Sequence, residues 1–422
     1  MGTFGAWTAG DPNHPEEHNR LVACDEARAD AFGRLRVSNP STLFEASFTY
    51  DTQPLLFQPV TVAGGTIEQT NSALRLSVDG TAGAAAVVQS RQYTPYEKGK
   101  SQLVKQTFVL GPPTAGVRTR VGYFDPQDGF FLQQTGDGLA FVRRSSTLGS
   151  IVETTVPQAD WNLDRFDGTG PSGITLDPTT AQILMIDGQW LGVGRVRLGF
   201  NVAGVTYYVH QFVHANTEGP APYVRSFTLP VRYEIETVDA GGIAELVAVC
   251  CEVESEGGID SPFGLALSTA NDSDVSMSTT PVAVLSLRPA AVFPAGGRTN
   301  RSFIIPGEIS LIADGEACIV EVQYDPTLSG GTWTRANPNS AVEVGTGQTL
   351  TSPGIVVGSQ FVVPGAGQGN NTVPAAAGDR VTSQYPLTLD IDGANPKALT
   401  IVARTLTGTG TIRAAGGWRE IR

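Results

Sequence analysis

Charge is scarce in this sequence. Asp, Glu, Lys and Arg make up 16% of its 422 residues, against roughly 25% in a typical soluble domain. Long helices and coiled coils, which draw on Glu and Lys at helical spacing, are thereby excluded. No run reaches 18 apolar residues, so there is no helical membrane span. The first thirty residues lack a charged start followed by an apolar core, and no secretory signal is expected. Cysteine is limited to Cys24, Cys250, Cys251 and Cys318, too few and too scattered for a disulfide framework. Cys250 and Cys251 are adjacent in an apolar run, which on a strand puts them on opposite faces. Both are expected to be small hydrophobes in a protein assembled in a reducing cytoplasm. A phosphate-binding loop, a dinucleotide fingerprint and a nucleophile elbow are all missing, and so is any repeat of 20 to 50 residues.

What is abundant is backbone punctuation. With 49 Gly and 27 Pro, these two residues reach roughly 18% of the chain against about 12% in average usage. Combined with 41% apolar residues, this composition excludes global disorder and predicts a soluble, β-rich protein of two or three domains. The net charge is −13. Such a surface repels phosphate backbones and anionic membranes, so no nucleic-acid partner is expected.

The order of turn signals along the chain divides it in three. Residues 1–37 read as an N-terminal arm, either one that orders on a partner or a frayed terminus packed on its own domain. Pro15-Glu16-Glu17 opens a Gly-free stretch through Ala31 in which Leu21, Cys24 and Arg28 fall near one stripe, predicting one short helix. Residues 38–258 read as short strands separated by turns, among them Leu74–Val78, Gln102–Leu110, Arg118–Phe124, Ile183–Ile186, Arg195–Val202, Thr206–Val213, Thr228–Ile235 and Ile243–Val253. Phe130–Leu132 and Leu139–Val142 flank Gly136-Asp137-Gly138, a hairpin signal. Asn162–Pro178 breaks the rhythm as a long loop or local cap. Residues 259–422 are β again, with strands at Val282–Leu287, Ser302–Ile305, Ile309–Ala313, Ala317–Tyr324, Gly354–Val363, Leu387–Ile391, Ala398–Leu406 and Thr411–Ala414. Gly365–Asn371 reads as an exposed tip. The expected fold class is mainly β: two β-sandwich domains of jelly-roll or lectin-like type behind a helical arm.

Candidates for chemistry are few. His210 and His214 stand at i, i+4, but the flanking Tyr, Val and Phe argue strand, where the two would lie about 13 Å apart and could not share a metal. His14 and His18, separated by Pro15, are expected to be solvated. Glu234 and Glu236 share a strand face with side chains about 6.5–7 Å apart, a spacing compatible with an acid and nucleophile pair of a glycosidase. A solvated face beside Arg232 is the simpler account. Asp125–Gly129, Asp164–Asp167 and Asn271–Asp274 could offer oxygen ligands to Ca²⁺, although turn propensity alone explains them. Tyr93, Tyr96, Trp161, Trp190 and Trp333 adjoin turns, where exposed rings could stack on a sugar; core packing is the commoner fate. No catalytic, cofactor-binding or metal residue is therefore assigned, and no cofactor is expected.

The stretch Ala31-Phe32-Gly33-Arg34-Leu35-Arg36-Val37-Ser38-Asn39-Pro40 through Glu45 resembles a family of tailed-bacteriophage virion proteins of tail-fibre or appendage type. The similarity continues through Pro95–Gln102, Val121–Asp125 and Val142–Ser146. It is densest at Trp161-Asn162-Leu163-Asp164, Asp167–Gly173 and Gln189–Arg197, and runs on through His214-Ala215-Asn216, Pro230–Ile235 and Ser255–Gly258. It covers roughly residues 31–258 with high specificity and 290–422 more loosely. The resemblance implies a non-enzymatic structural component of the virion, assembled in the bacterial cytoplasm, with no catalytic set to transfer. It implies contacts to other virion proteins through the arm and a homo-oligomer, a trimer being usual. A capsid-decorating or head-fibre protein is one alternative. A host-glycan-binding or glycan-cleaving tail module is another.

Overall fold

The computed structural model describes residues 29–36, 39–257, 264–294, 296–364, 371–373, 385 and 387–422. Strands account for nearly all regular structure, and the described residues contain no α-helix. The expected arm helix lies mostly outside them. Where it is described, at Ala29–Ala31, the chain instead forms a bridge to Leu35 and a turn. Two compact units emerge, residues 1–90 with 96–259, and residues 91–95 with 260–422.

The first unit is a sandwich of two antiparallel sheets. One has the order Val205–Phe212, Val196–Val202, Gln182–Gly188, Gln102–Val109, Ala244–Ser255, Ala73–Val78 and Gly65–Thr70, with Ser41–Ser47 pairing the far half of Ala244–Ser255. The other has the order Val152–Pro157, Gly138–Ser145, Gly129–Thr135, Val117–Phe124, Val231–Thr237, Ala85–Ser90 and Phe57–Val62. Alternation along each strand builds the core. Leu74, Leu76, Phe108, Leu184 and Leu198 from the first sheet meet Val121, Tyr123, Phe130, Phe141 and Tyr233 from the second. Burying a side chain of this size contributes about 1.5–3 kcal/mol, which is why the register is tightly specified: a slip by one residue would turn every one of these outward. Cys251 enters this core and Cys250 faces the other side; both are free thiols.

The second unit stacks a four-stranded sheet, ordered Leu265–Met277, Gly410–Ile421, Phe303–Gly315 and Asn371–Val373, on a six-stranded one. The latter runs Thr332–Arg335, Val342–Thr346, Val282–Pro289, Leu399–Thr405, Cys318–Tyr324 and Ile355–Val362. A two-stranded ribbon, Thr327–Ser329 with Thr349–Ser352, is separate. Val320, Val322, Leu285, Ile401, Ile412 and Trp418 lie in its core.

Three expectations need correction here. Ser302–Ile305 and Ile309–Ala313 are one long strand, Phe303–Gly315, with an irregularity between Pro306 and Ile309 where proline cannot donate to the ladder. Leu387–Ile391 is not a strand and holds only an isolated bridge from Leu389 to Pro396. Asn271–Asp274 is not a turn between strands; it is a bulge inside Leu265–Met277, opposite Gly410–Ile421. Of the tip expected at Gly365–Asn371, residues 365–370 lie outside the described residues, and Asn371 instead begins the strand Asn371–Val373.

Candidate functional site

On the strand Gln182–Gly188, Leu184 and Ile186 point into the core, so Asp187 projects from the outer face of its sheet. The register continues this row sideways. Arg197 stands opposite Asp187 on one side and Leu103 on the other, and Glu254 stands opposite Leu103. The segment Ala29–Arg36 lies over one end of the row. It turns tightly at Gly33, whose φ of +81° suits glycine. Asp30 closes the turn by accepting from the Arg34 backbone N–H at 2.8 Å and from Arg34 Nε at 2.9 Å.

Each end of this strap is tied to the sheet. The Ala31 N–H donates to Ser101 Oγ at 2.9 Å. Arg195 Nη2 donates to the Ala31 carbonyl at 3.1 Å, and Arg197 Nη2 to that of Ala29 at 2.7 Å. Arg36 then reaches into the row: its Nη2 donates to Asp187 Oδ2 at 2.7 Å, Tyr208 Oη at 3.0 Å and Glu256 Oε2 at 3.3 Å. The Tyr208 hydroxyl donates onward to Asp187 Oδ2 at 2.8 Å, and the Arg197 guanidinium, paired with Asp187, lies 4.0 Å above the Tyr208 ring. Beside this knot, Ser255 Oγ donates to Glu97 at 2.6 Å, Lys100 pairs with Glu97 at 3.0 Å, and the Glu256 N–H donates to the Ser101 carbonyl at 2.9 Å.

The electrostatics follow from burial. Asp187 and Arg197 are 0% and 1% exposed, and such a pair persists because each neutralises the other. Burial, and then the negative charge of Asp187, push Glu256 up to about 7, against the pull of Arg36. Burial alone would lower Arg36, but Tyr208, Asp187 and Glu256 together hold it above its ordinary value. Burial and Asp187 likewise hold Tyr208 protonated. Chemically the knot fastens chain to chain: Asp187 is sealed from solvent, and Glu256 is a carboxyl that titrates near neutrality.

Glu234 and Glu236 do share the outer face of the second sheet, as expected from their spacing. Their environment differs from a solvated strand. Glu234 accepts from Arg120 Nη1 at 3.0 Å and Arg232 Nε at 2.7 Å, while Glu236 takes Arg118 Nε at 2.6 Å and Arg120 Nη1 at 3.2 Å. Burial would raise Glu234, but the guanidinium groups of Arg232 and Arg120 outweigh it and hold the carboxyl down at about 2. Beneath them lie Phe124 and Phe131, both fully buried, with Arg120, Arg144 and Arg232 stacked within 5.0–5.5 Å of the ring centroids. A carboxyl so held cannot serve as a general acid, which needs a raised pKa.

The remaining candidates resolve into local structure. His210 accepts from the Asn162 N–H at 3.3 Å, and burial lowers it to about 4; His214 pairs separately with Glu218 at 2.9 Å. Asp125 accepts from the N–H groups of Gln127 and Asp128, and Asp164 from those of Phe166 and Ser172. These turn bonds engage Asp125 Oδ1 and both oxygens of Asp164, and no group of three metal-ligating side chains exists among the described residues. Asp274 pairs with Arg413 at 2.9 Å. Tyr93, Tyr96 and Trp161 are buried, Trp190 packs against the core, and the Trp333 ring lies 3.9 Å under Arg288. His14, His18 and Cys24 lie outside the described residues. The sequence carried no signal for Asp187, just beyond the expected strand Ile183–Ile186, or for Tyr208, which read only as a strand position; the register brings them to Arg36.

Comparison with protein-family models returns no match, and comparison with curated proteins returns none either. Among solved structures, a putative beta-glucanase from Mycobacterium abscessus is 11% identical, with 50% of this chain and 100% of that one covered at a TM-score of 0.36. The CBM2 module of the evolved Dit of Lactobacillus casei BL23 phage J-1 is 8% identical, with 52% and 97% covered at 0.33. A protein of unknown function from Shewanella oneidensis MR-1 is 13% identical, with 60% and 96% covered at 0.33. At these values none of them assigns an activity to this chain.

Proposed function

We propose that the chain is a non-catalytic structural component of a bacteriophage virion, of tail, fibre or baseplate type, contributing to particle assembly and host attachment. One observation carries the reading. The segments that bear the phage-protein resemblance, Ala31–Arg36, Pro95–Gln102, Gln189–Arg197 and Ser255–Gly257, meet in the knot that straps the N-terminal segment onto the first sandwich. Residues used this way serve to fix where an arm leaves a rigid body. The arm then contacts other virion proteins, and the bodies associate as a homo-oligomer, a trimer being the favoured state. Of the two carboxyls in the glycosidase alternative, the caged Glu234 could not be the acid.

The test is to produce particles with residues 1–28 deleted. The knot begins at Ala29, so the protein should stay folded and be absent from purified virions. Normal incorporation would sink the proposal. Immunogold labelling of wild-type particles then separates a tail position from a capsid-decorating one.

A further inference from the structure

In the second unit, a cleft of about 280 Å³ opens over the outer face of the strands Cys318–Tyr324 and Leu399–Thr405. This falls near the lower bound of small-ligand sites. Its floor carries Ile319, Glu321 and Gln323 from one strand and Val402 and Arg404 from the other. The register sets Arg404 opposite Ile319 and Val402 opposite Glu321, so Arg404 and Glu321 are diagonal neighbours on one face. Pro281 walls one side, and Leu350 and Pro353 wall the other.

The polar groups in the cleft are oriented but not used up. Gln323 is held at both ends, its Oε1 accepting from the Gly354 N–H at 3.1 Å and its Nε2 donating to Glu321 at 2.7 Å. Glu321 is thereby aimed while keeping acceptor capacity. Arg404, half-buried, makes no ion pair or side-chain hydrogen bond with any described residue. Adjacent cation and anion that do not pair with each other leave a donor fork and an acceptor side by side, with the hydroxyls of Thr280 and Ser352 at the walls.

We infer that this cleft is a binding site for a short, neutral saccharide. An anion would face Glu321, a cation would face Arg404, and an apolar molecule would bury both charges without partners. A neutral polyol satisfies donor and acceptor together through its hydroxyls and lays its C–H faces on Ile319 and the two prolines. A free amino acid could pair both charges but would leave much of the cleft and its hydroxyls unused. The site stands on the cleft alone and is independent of the particle role proposed above, whose test is incorporation into virions.

The test uses the full-length protein on an array of neutral and acidic oligosaccharides, followed by saturation-transfer NMR with the best neutral ligand and with glycine as the zwitterionic probe. Neutral saccharides should bind, and Arg404→Ala and Glu321→Gln should each weaken them about tenfold or more. Neither side chain makes an ion pair with a described residue, and Gln at position 321 keeps an oxygen that can accept from Gln323 Nε2, so each variant should melt like the wild type, which keeps the comparison valid. Absence of binding to every neutral saccharide overturns the inference. So does preference for acidic sugars or glycine, or binding unchanged in both variants.

Discussion

Arg36 Nη2 lies 2.7 Å from Asp187 Oδ2, a contact between residues 151 apart in sequence. The first prediction follows from the burial of Asp187. Arg36→Ala leaves that carboxylate with a weakened countercharge in a dry site, and the first unit should lose about 3 kcal/mol. Arg36→Lys keeps the charge but not the fork that serves Asp187, Tyr208 and Glu256 at once, and should recover only part of the loss. Urea unfolding followed by tryptophan fluorescence measures both. A loss below about 1 kcal/mol for the alanine variant would refute the knot's role as a fastening.

Glu256 gives the knot a pH signature. Its folded-state value near 7 exceeds its ordinary 4.5, so the folded protein holds a proton that the unfolded chain has already released between those values. Its contribution is therefore fully present below about 4.5, declines as the pH rises to about 7, and is flat above. The span corresponds to about 3 kcal/mol. Glu256→Gln should flatten that decline in denaturation curves taken from pH 5 to 8. A variant with the wild-type slope would place the titration elsewhere.

Glu234 has the opposite sign. Held down at about 2, it stabilises the fold above its ordinary 4.5, and this is lost as the pH falls from there towards 2. Glu234→Ala strands Arg120 and Arg232 and should cost about 3–5 kcal/mol at neutral pH. Glu236→Gln, at a more exposed position, should cost less than about 1 kcal/mol. Thermal and acid unfolding of the two variants would show the difference; equal effects would mean the cage does not depend on Glu234.

Two glycines separate space from backbone conformation. A Cβ on Gly194 would lie 1.8 Å from the Gln189 carbonyl oxygen, inside the turn that presents Arg195 to the strap. Gly194→Ala should lower stability by more than about 2 kcal/mol. Gly204 sits at a hairpin tip with φ +82° and open space around it, so Gly204→Ala should cost only about 1 kcal/mol. Melting temperatures of the pair test the ordering.

Much of the architecture was legible in the sequence, for a simple reason. Alternating runs such as Leu74–Val78 and Arg118–Phe124, punctuated by Gly and Pro, declare strands and turns locally, because period-two burial is a property of each strand alone. The paired placement of Glu234 and Glu236 on one face, and of Cys250 and Cys251 on opposite faces, follows from the same geometry. Bulges were not legible, since whether Asn271–Asp274 turns or stays in a strand depends on a partner strand some 140 residues away.

What the sequence by itself determined is the β character and the lack of charge to spare. What only the tertiary structure decided is which charged residues meet. Arg36, Arg197 and Glu256 are ordinary charged residues until the register sets Asp187 and Tyr208 among them. Glu234 reads as a solvated acid until Arg120 arrives from a neighbouring strand. Arg404 and Glu321, 83 residues apart in sequence, become neighbours only because two strands place them diagonally at the floor of one cleft. Charge pairing in a sheet is a relation between strands, and strand partners are chosen by the whole core rather than by any stretch of chain.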